Sequence, residues 1–362
     1  MRWRIIVRSG VALALIALIL PAANTVGHLV DASGASPRQT ADHKTAAADT
    51  RRTDPAASPI GRSSAVRKTA DKPVSLTYYQ SPVHYRNEVI VLMYHAIDTS
   101  QIPGDVIKPS VFAQELALFR KEHFNPISFD RFCQFVNNGK PVPPNAVLIT
   151  FDNGYESFYR TAFPLLLHYH EPAVLFPIVS WLQHPGRRGI FHTLTWPQVE
   201  QMHSSGLIAV QSQTYNMHTG VAVGPGESEA STVGRIYNPA TGASETTAQY
   251  DHRVLTDLIK ARTLVEQQLH EHDVNALSYP FGDYQPSLIR LLHQAGYHYL
   301  FTAKQGWGVL SSTSPNTLFR INSGTPNITP QGLMSTITWI AQLTHQSPGW
   351  TAPKQFIQVW KY

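Results

Sequence analysis

The residues best placed to do chemistry are a carboxylate and two imidazoles. Asp152 directly follows the apolar, β-branched run Ala146–Phe151 and precedes Asn153-Gly154. Such a run fits a strand buried on both faces, and α/β folds gather their reactive groups at the carboxyl ends of such strands. Tyr94-His95 ends a similar run, E-V-I-V-L-M-Y-H-A-I, and His218 closes S-Q-T-Y-N-M-H after a third. Each has an ordinary structural reading as well. Asp152 is a good helix cap, His218 is a solvated loop residue, and His95 is a packed, hydrogen-bonded histidine. Asn153-Gly154 is also the strongest short hairpin signal, but E-S-F-Y-R-T-A-F-P-L-L-L-H has helical spacing, which favours a strand-to-helix junction.

The elements that must position these groups alternate along the chain. The strand at 88–95 precedes a helix at 110–122 with Ser110 as its cap, and strand 146–151 precedes helix 155–168. Strand 173–179 is followed by helix 195–204, strand 207–211 by helix 252–270, and strand 276–279 by helix 286–295 and strand 299–302. This alternation predicts an α/β parallel sheet wrapped by helices and closed as a barrel. Residues 219–250 form a Gly/Ser/Thr/Pro-rich insertion, of a length that usually covers a site or moves.

Composition narrows the function. The chain has 362 residues and 43% apolar content, enough to bury an enzyme-sized core. Its formal charge of +5 comes from the amino-terminal part, where Arg2, Arg4, Arg8 and a scatter of Lys and Arg between residues 31 and 75 lie. From Leu76 onward the chain is close to neutral, with no basic stripe for nucleic acid. The single cysteine, Cys133, lies in a helical apolar context and reads as core packing, so neither an intrachain disulfide nor a thiolate metal site is available.

Residues 1–30 pair three arginines with the apolar run Val11–Leu20 and small residues after it, the pattern of a secretory signal or uncleaved signal anchor. The chain is thus expected outside the cytoplasm, secreted or held to the membrane by its N-terminus. Residues 31–75 lack apolar periodicity and read as a disordered linker with an end-to-end distance of about 35–40 Å. Residues 76–362 are the folded domain.

Several short motifs share an order: M-Y-H-A-I, T-F-D-N-G-Y, L-T-W, S-Q-T-Y-N-M-H, P-F-G-D-Y and L-F-R-I. Together, from Val89 to Ile321, they resemble the carbohydrate (polysaccharide) deacetylase family with its NodB homology domain. They are most similar to its exported members acting on poly-N-acetylglucosamine adhesins. The resemblance implies a distorted (β/α) barrel, a cell-surface or cell-wall polysaccharide as partner, and hydrolysis of N-acetyl groups assisted by a divalent, zinc-type metal. A metal lowers the pKa of its bound water from 15.7 toward about 7.

Carried over position by position, the resemblance makes Asp152 the base and the Phe281 N–H the oxyanion donor. The metal positions fall on Asn153, Gln213 and His218, where the family has Asp, His and His. Two of the three therefore depart from the pattern, and a tight transition-metal site is not expected. The common Leu-x-His motif of a general acid is also missing, since Phe319 and Arg320 follow Leu318. His95 is the best unassigned residue to compensate, and Tyr155, Trp196, Tyr215, Tyr279 and Tyr284 are candidates for a sugar-stacking wall. Two functions stay open: an exported deacetylase with a loose or unusual metal site, and a non-catalytic, membrane-tethered glycan-binding module.

Overall fold

A computed structural model describes residues 75–100 and 105–346. The leader and linker expected before residue 75 lie outside the described residues. Among the described residues no helix is long and apolar enough to cross a membrane.

The core is a set of parallel strands. They are β1 (Val89–Tyr94), β2 (Ala146–Asn153), β3 (Ala173–Pro177), β4 (Ile208–Val210), β5 (Ala276–Ser278), β6 (Tyr299–Phe301) and β7 (Ile321–Asn322). Five of them pair in the order β7-β1-β2-β3-β4, and β5 pairs with β6. Single bridges link these groups: Ser212, just past β4, to Leu277 of β5, and Phe301 of β6 to Leu318, just before β7. The pairings thus run round a distorted barrel whose seams are one bridge wide.

All eight residues of β2 are buried, as its apolar run requires. Its alternate side chains enter separate cores. Val147, Ile149 and Phe151 pack outward with the helices, whereas Ala146 and Leu148 join Val174, Phe176 and Phe301. Each large apolar side chain fully buried in this way contributes about 1.5–3 kcal/mol relative to exposure.

The helices are α1 (Pro109–Lys121), α2 (Phe129–Asn138), α3 (Phe163–Tyr169), α4 (Trp196–Ser204), α5 (Thr247–Leu269), α6 (Pro286–Gln294) and α7 (Pro330–Gln346). Helix α2 inserts Phe129, Phe132 and Phe135 into the second core. Cys133 lies on this helix, and burial pushes its thiol pKa up to about 12, so it is inert packing.

Several boundaries differ from the sequence reading. Lys108, not Ser110, caps α1, because Pro109 takes the first helical position, where its missing N–H costs nothing. The helix expected over 155–168 begins as one π-helical stretch, Phe158–Ala162, before α3. Helix α5 starts five residues early, held by a reciprocal Thr246–Gln249 capping box. Helix α7 was not anticipated.

The insertion is ordered as two antiparallel hairpins, Gly220–Gly224 with Glu227–Ala230 and Tyr237–Asn238 with Ala243–Ser244. Arg253 of α5 ties them down through Glu245 and the carbonyls of Ser231 and Gly234. The Tyr250 hydroxyl donates to the Thr232 carbonyl at 2.6 Å.

Candidate active site

The end of β2 delivers Asp152 into a buried network. Arg320 donates to both of its oxygens, at 2.8 and 2.7 Å, and the Ser278 hydroxyl donates at 2.8 Å. Arg320 is itself fully buried and further held by the Thr302 carbonyl and the Thr150 hydroxyl. Burial by itself raises the Asp152 pKa. The Arg320 charge and hydrogen bonds, helped by His95 and Ser278, more than reverse this and leave it below the ordinary carboxylate value.

Asn153 and Gly154 turn the chain. Asn153 has φ 70° and Gly154 φ 87°, and a Cβ on Gly154 would meet the Pro177 Cβ at 3.1 Å. Only glycine fits that approach without a shift. The junction is therefore strand to helix, not a hairpin. The Asn153 Nδ2 lies 3.4 Å from the Tyr155 hydroxyl, and its Oδ1 is buried with no hydrogen-bond partner.

Gln213 stands beyond β4. Its N–H donates to the carbonyl of Pro177, the residue paired in register with Asn153, and its Oε1 is also buried without a partner. His218 packs on Phe281 with ring centroids 4.3 Å apart. Burial pushes the His218 pKa down, the Asp152 charge opposes this, and His95 adds to it, so the ring is neutral at neutral pH.

The loop carrying Gln213 and His218 is anchored from α5. Both oxygens of Asp257 accept backbone N–H groups, from Tyr215 at 2.8 Å and Asn216 at 2.9 Å. Lys260 sits 3.6 Å over the Tyr215 ring. Phe281 has φ 58°, and the next residue, Gly282, has no room for a side chain because its Cβ would meet Ala303 at 2.7 Å. This turn fixes the direction of the Phe281 backbone.

His95 directly follows β1, with Nδ1 3.7 Å from Asp105, whose other oxygen accepts from Asn322 of β7. The His95 charge acts on both Asp152 and His218, and the Asp152 charge acts on His218, so the three lie around one mouth.

The aromatic candidates separate. Tyr155 does face this region, beside Trp181 and Phe191. Tyr215 is half-buried under Lys260, and Trp196 packs partly against the main core. The Tyr279 ring is buried, with its hydroxyl donating to Asn316 and Tyr284 stacked on it, so it offers no exposed face to a sugar. Sequence reasoning missed the roles of Arg320, Ser278, Asp257 and Asp105. For Arg320 a signal existed, because a charge between Leu318-Phe319 and Ile321 in an apolar run demands a buried partner.

Residues 139–300 match the family model described as polysaccharide deacetylase. Among curated proteins it is similar to the poly-β-1,6-N-acetyl-D-glucosamine N-deacetylase of Escherichia coli K12, 31% identical over 214 residues, covering 55% of this chain and 31% of that protein. The chain thus spans about a third of that relative's length. The enzyme of the same name from Staphylococcus epidermidis is 23% identical over 237 residues, covering 61% of this chain and 74% of its own. Among solved structures, the de-N-acetylase from Aggregatibacter actinomycetemcomitans superposes with a TM-score of 0.61 at 23% identity, over 68% of this chain and 99% of its own. The BpsB deacetylase domain from Bordetella bronchiseptica gives 0.57 at 25% identity, over 66% and 97%. The barrel is the fold of these deacetylases.

Proposed function

We propose that this protein acts outside the cytoplasm, where it holds a poly-N-acetylglucosamine-type polysaccharide at the Asp152 mouth and releases acetate from it poorly or not at all. The observation that carries this reading is the donor set. A divalent cation at the family's position would rest on Asn153, Gln213 and His218, that is, two neutral amide oxygens and one imidazole. Asp152 is already engaged, since Arg320 and Ser278 take three hydrogen bonds on its two oxygens and Arg320 neutralises its charge. Zn²⁺ favours thiolate, imidazole and carboxylate, so these residues do not fit a tightly held zinc ion. Among the described residues no three His, Cys, Asp or Glu side chains gather to replace the missing donors.

Without an activated water, the burden of proton removal falls on Asp152. A carboxylate held below its ordinary pKa and locked in a bidentate pair is a weak base for water. The glycan as ligand is supported by the names of the relatives and by the retained mouth of Asp152, His218, Phe281 and Tyr155. The signal-like residues 1–30 and the linker-like 31–75 support export and, where the leader is retained, tethering to the membrane.

The test is to supply the purified chain with Zn²⁺ or Mn²⁺ and N-acetylglucosamine oligomers, and to measure binding and acetate together. Binding with acetate release no greater than that of Asp152→Asn is expected. Turnover that disappears in Asp152→Asn would return the protein to the working hydrolases.

A further inference from the structure

We propose that the mouth takes the ammonium group of a de-N-acetylated glucosamine residue, at the position where the family resemblance puts a metal cation. This rests on the glycan-holding reading above and names which residue of the polymer it selects.

Two observations carry it. Asn153 and Gln213 are only 6% and 2% exposed, yet Asn153 Oδ1 and Gln213 Oε1 have no hydrogen-bond partner. Buried acceptors left without a donor are unfavourable and uncommon, so both oxygens call for a donor from outside the chain. Pro177 holds the two residues on one rim, by strand register on one side and a 3.0 Å hydrogen bond from the Gln213 N–H on the other.

An alkylammonium presents three N–H donors and no acceptor, which matches a pair of acceptor oxygens. An acetamide brings one donor and a carbonyl oxygen, and the carbonyl would face like charge. Neutral amide oxygens are poor partners for a zinc-type ion but ordinary partners for an N–H at hydrogen-bond distance.

The charges around the mouth agree. Asp152 is neutralised by Arg320, and His218 is packed against Phe281. Asp105 adds a carboxylate next to His95 and Asn322, and its field reaches Tyr155, the neighbour of Asn153. A carboxylate on this side of the mouth favours a cationic group.

The experiment is calorimetric binding of two β-1,6-linked glucosamine tetramers, one fully N-acetylated and one fully de-N-acetylated, to the full chain in a chelating buffer. The free-amine tetramer is expected to bind about tenfold more tightly. Gln213→Met, which keeps the shape and removes the acceptor, is expected to abolish that preference, and Gln213→Glu to widen it; thermal melts establish that both variants fold. Equal or tighter binding of the acetylated tetramer overturns the proposal alone. So does a preference that survives Gln213→Met or that needs a divalent metal. Failure of both tetramers to bind overturns it together with the glycan-holding reading.

Discussion

Arg320 grips both oxygens of Asp152, at 2.8 and 2.7 Å, across 168 residues of chain and in near-complete burial. The pair joins the end of β2 to the segment entering β7, so it braces the barrel as well as setting the protonation state of the mouth. Removing one partner leaves an uncompensated charge in the core. Arg320→Met is therefore expected to destabilise the domain by about 3–5 kcal/mol, and Asp152→Leu with Arg320→Met to cost clearly less than Arg320→Met alone. Denaturant unfolding of the three proteins checks this.

The same pair predicts acid sensitivity. The Asp152 pKa is lower in the folded protein, so its stabilisation is complete above the unfolded value, about 3.9, and is lost as pH falls through the folded one. Asp152→Asn should therefore weaken the fall in melting temperature at the acid end.

Glu115 acts with the opposite sign. It is buried on α1 with the Tyr94 hydroxyl donating to it at 3.0 Å, and burial raises its pKa to about 8. Its stabilising contribution is full below about pH 4.5 and is lost as pH rises through about 8. Glu115→Gln, which can still accept from Tyr94, should make the decline in stability over that interval shallower and stabilise the protein at pH 8 by a few kcal/mol, on the order expected from the shift. Some slope remains, because burial also raises Glu88 and Glu171 to about 7.

Asp257 supports the loop that carries Gln213 and His218. Asp257→Ala strands the Tyr215 and Asn216 N–H groups and should cost about 1–3 kcal/mol. Glycan binding should fall more than stability does, and binding measured well below the melting temperature separates the two effects.

Much of this architecture was legible in the sequence. The apolar runs at Val89–Tyr94 and Ala146–Phe151 announce strands buried on both faces, and the ordered motifs put Asp152 and Asn153 at the end of β2 and Gln213 and His218 on the loop after β4. Contacts between distant segments were not legible. Nothing near Asp152 in sequence points to Arg320, and nothing near Tyr215 points to Asp257, because both pairings exist only once the barrel closes. Composition also misled: the Gly/Ser/Thr-rich insertion forms hairpins because Arg253 and Tyr250, outside it or at its end, satisfy its backbone. Tyr279 was read from its place at a strand end, but its ring turns inward to donate to Asn316.

The most direct test of the central claim is zinc titration, by calorimetry with elemental analysis, of the native chain beside the double variant Asn153→Asp with Gln213→His. The donor set predicts no stoichiometric zinc on the native protein and one tightly held ion on the variant. One tightly held zinc on the native protein, or a folded variant that still binds none, contradicts the account.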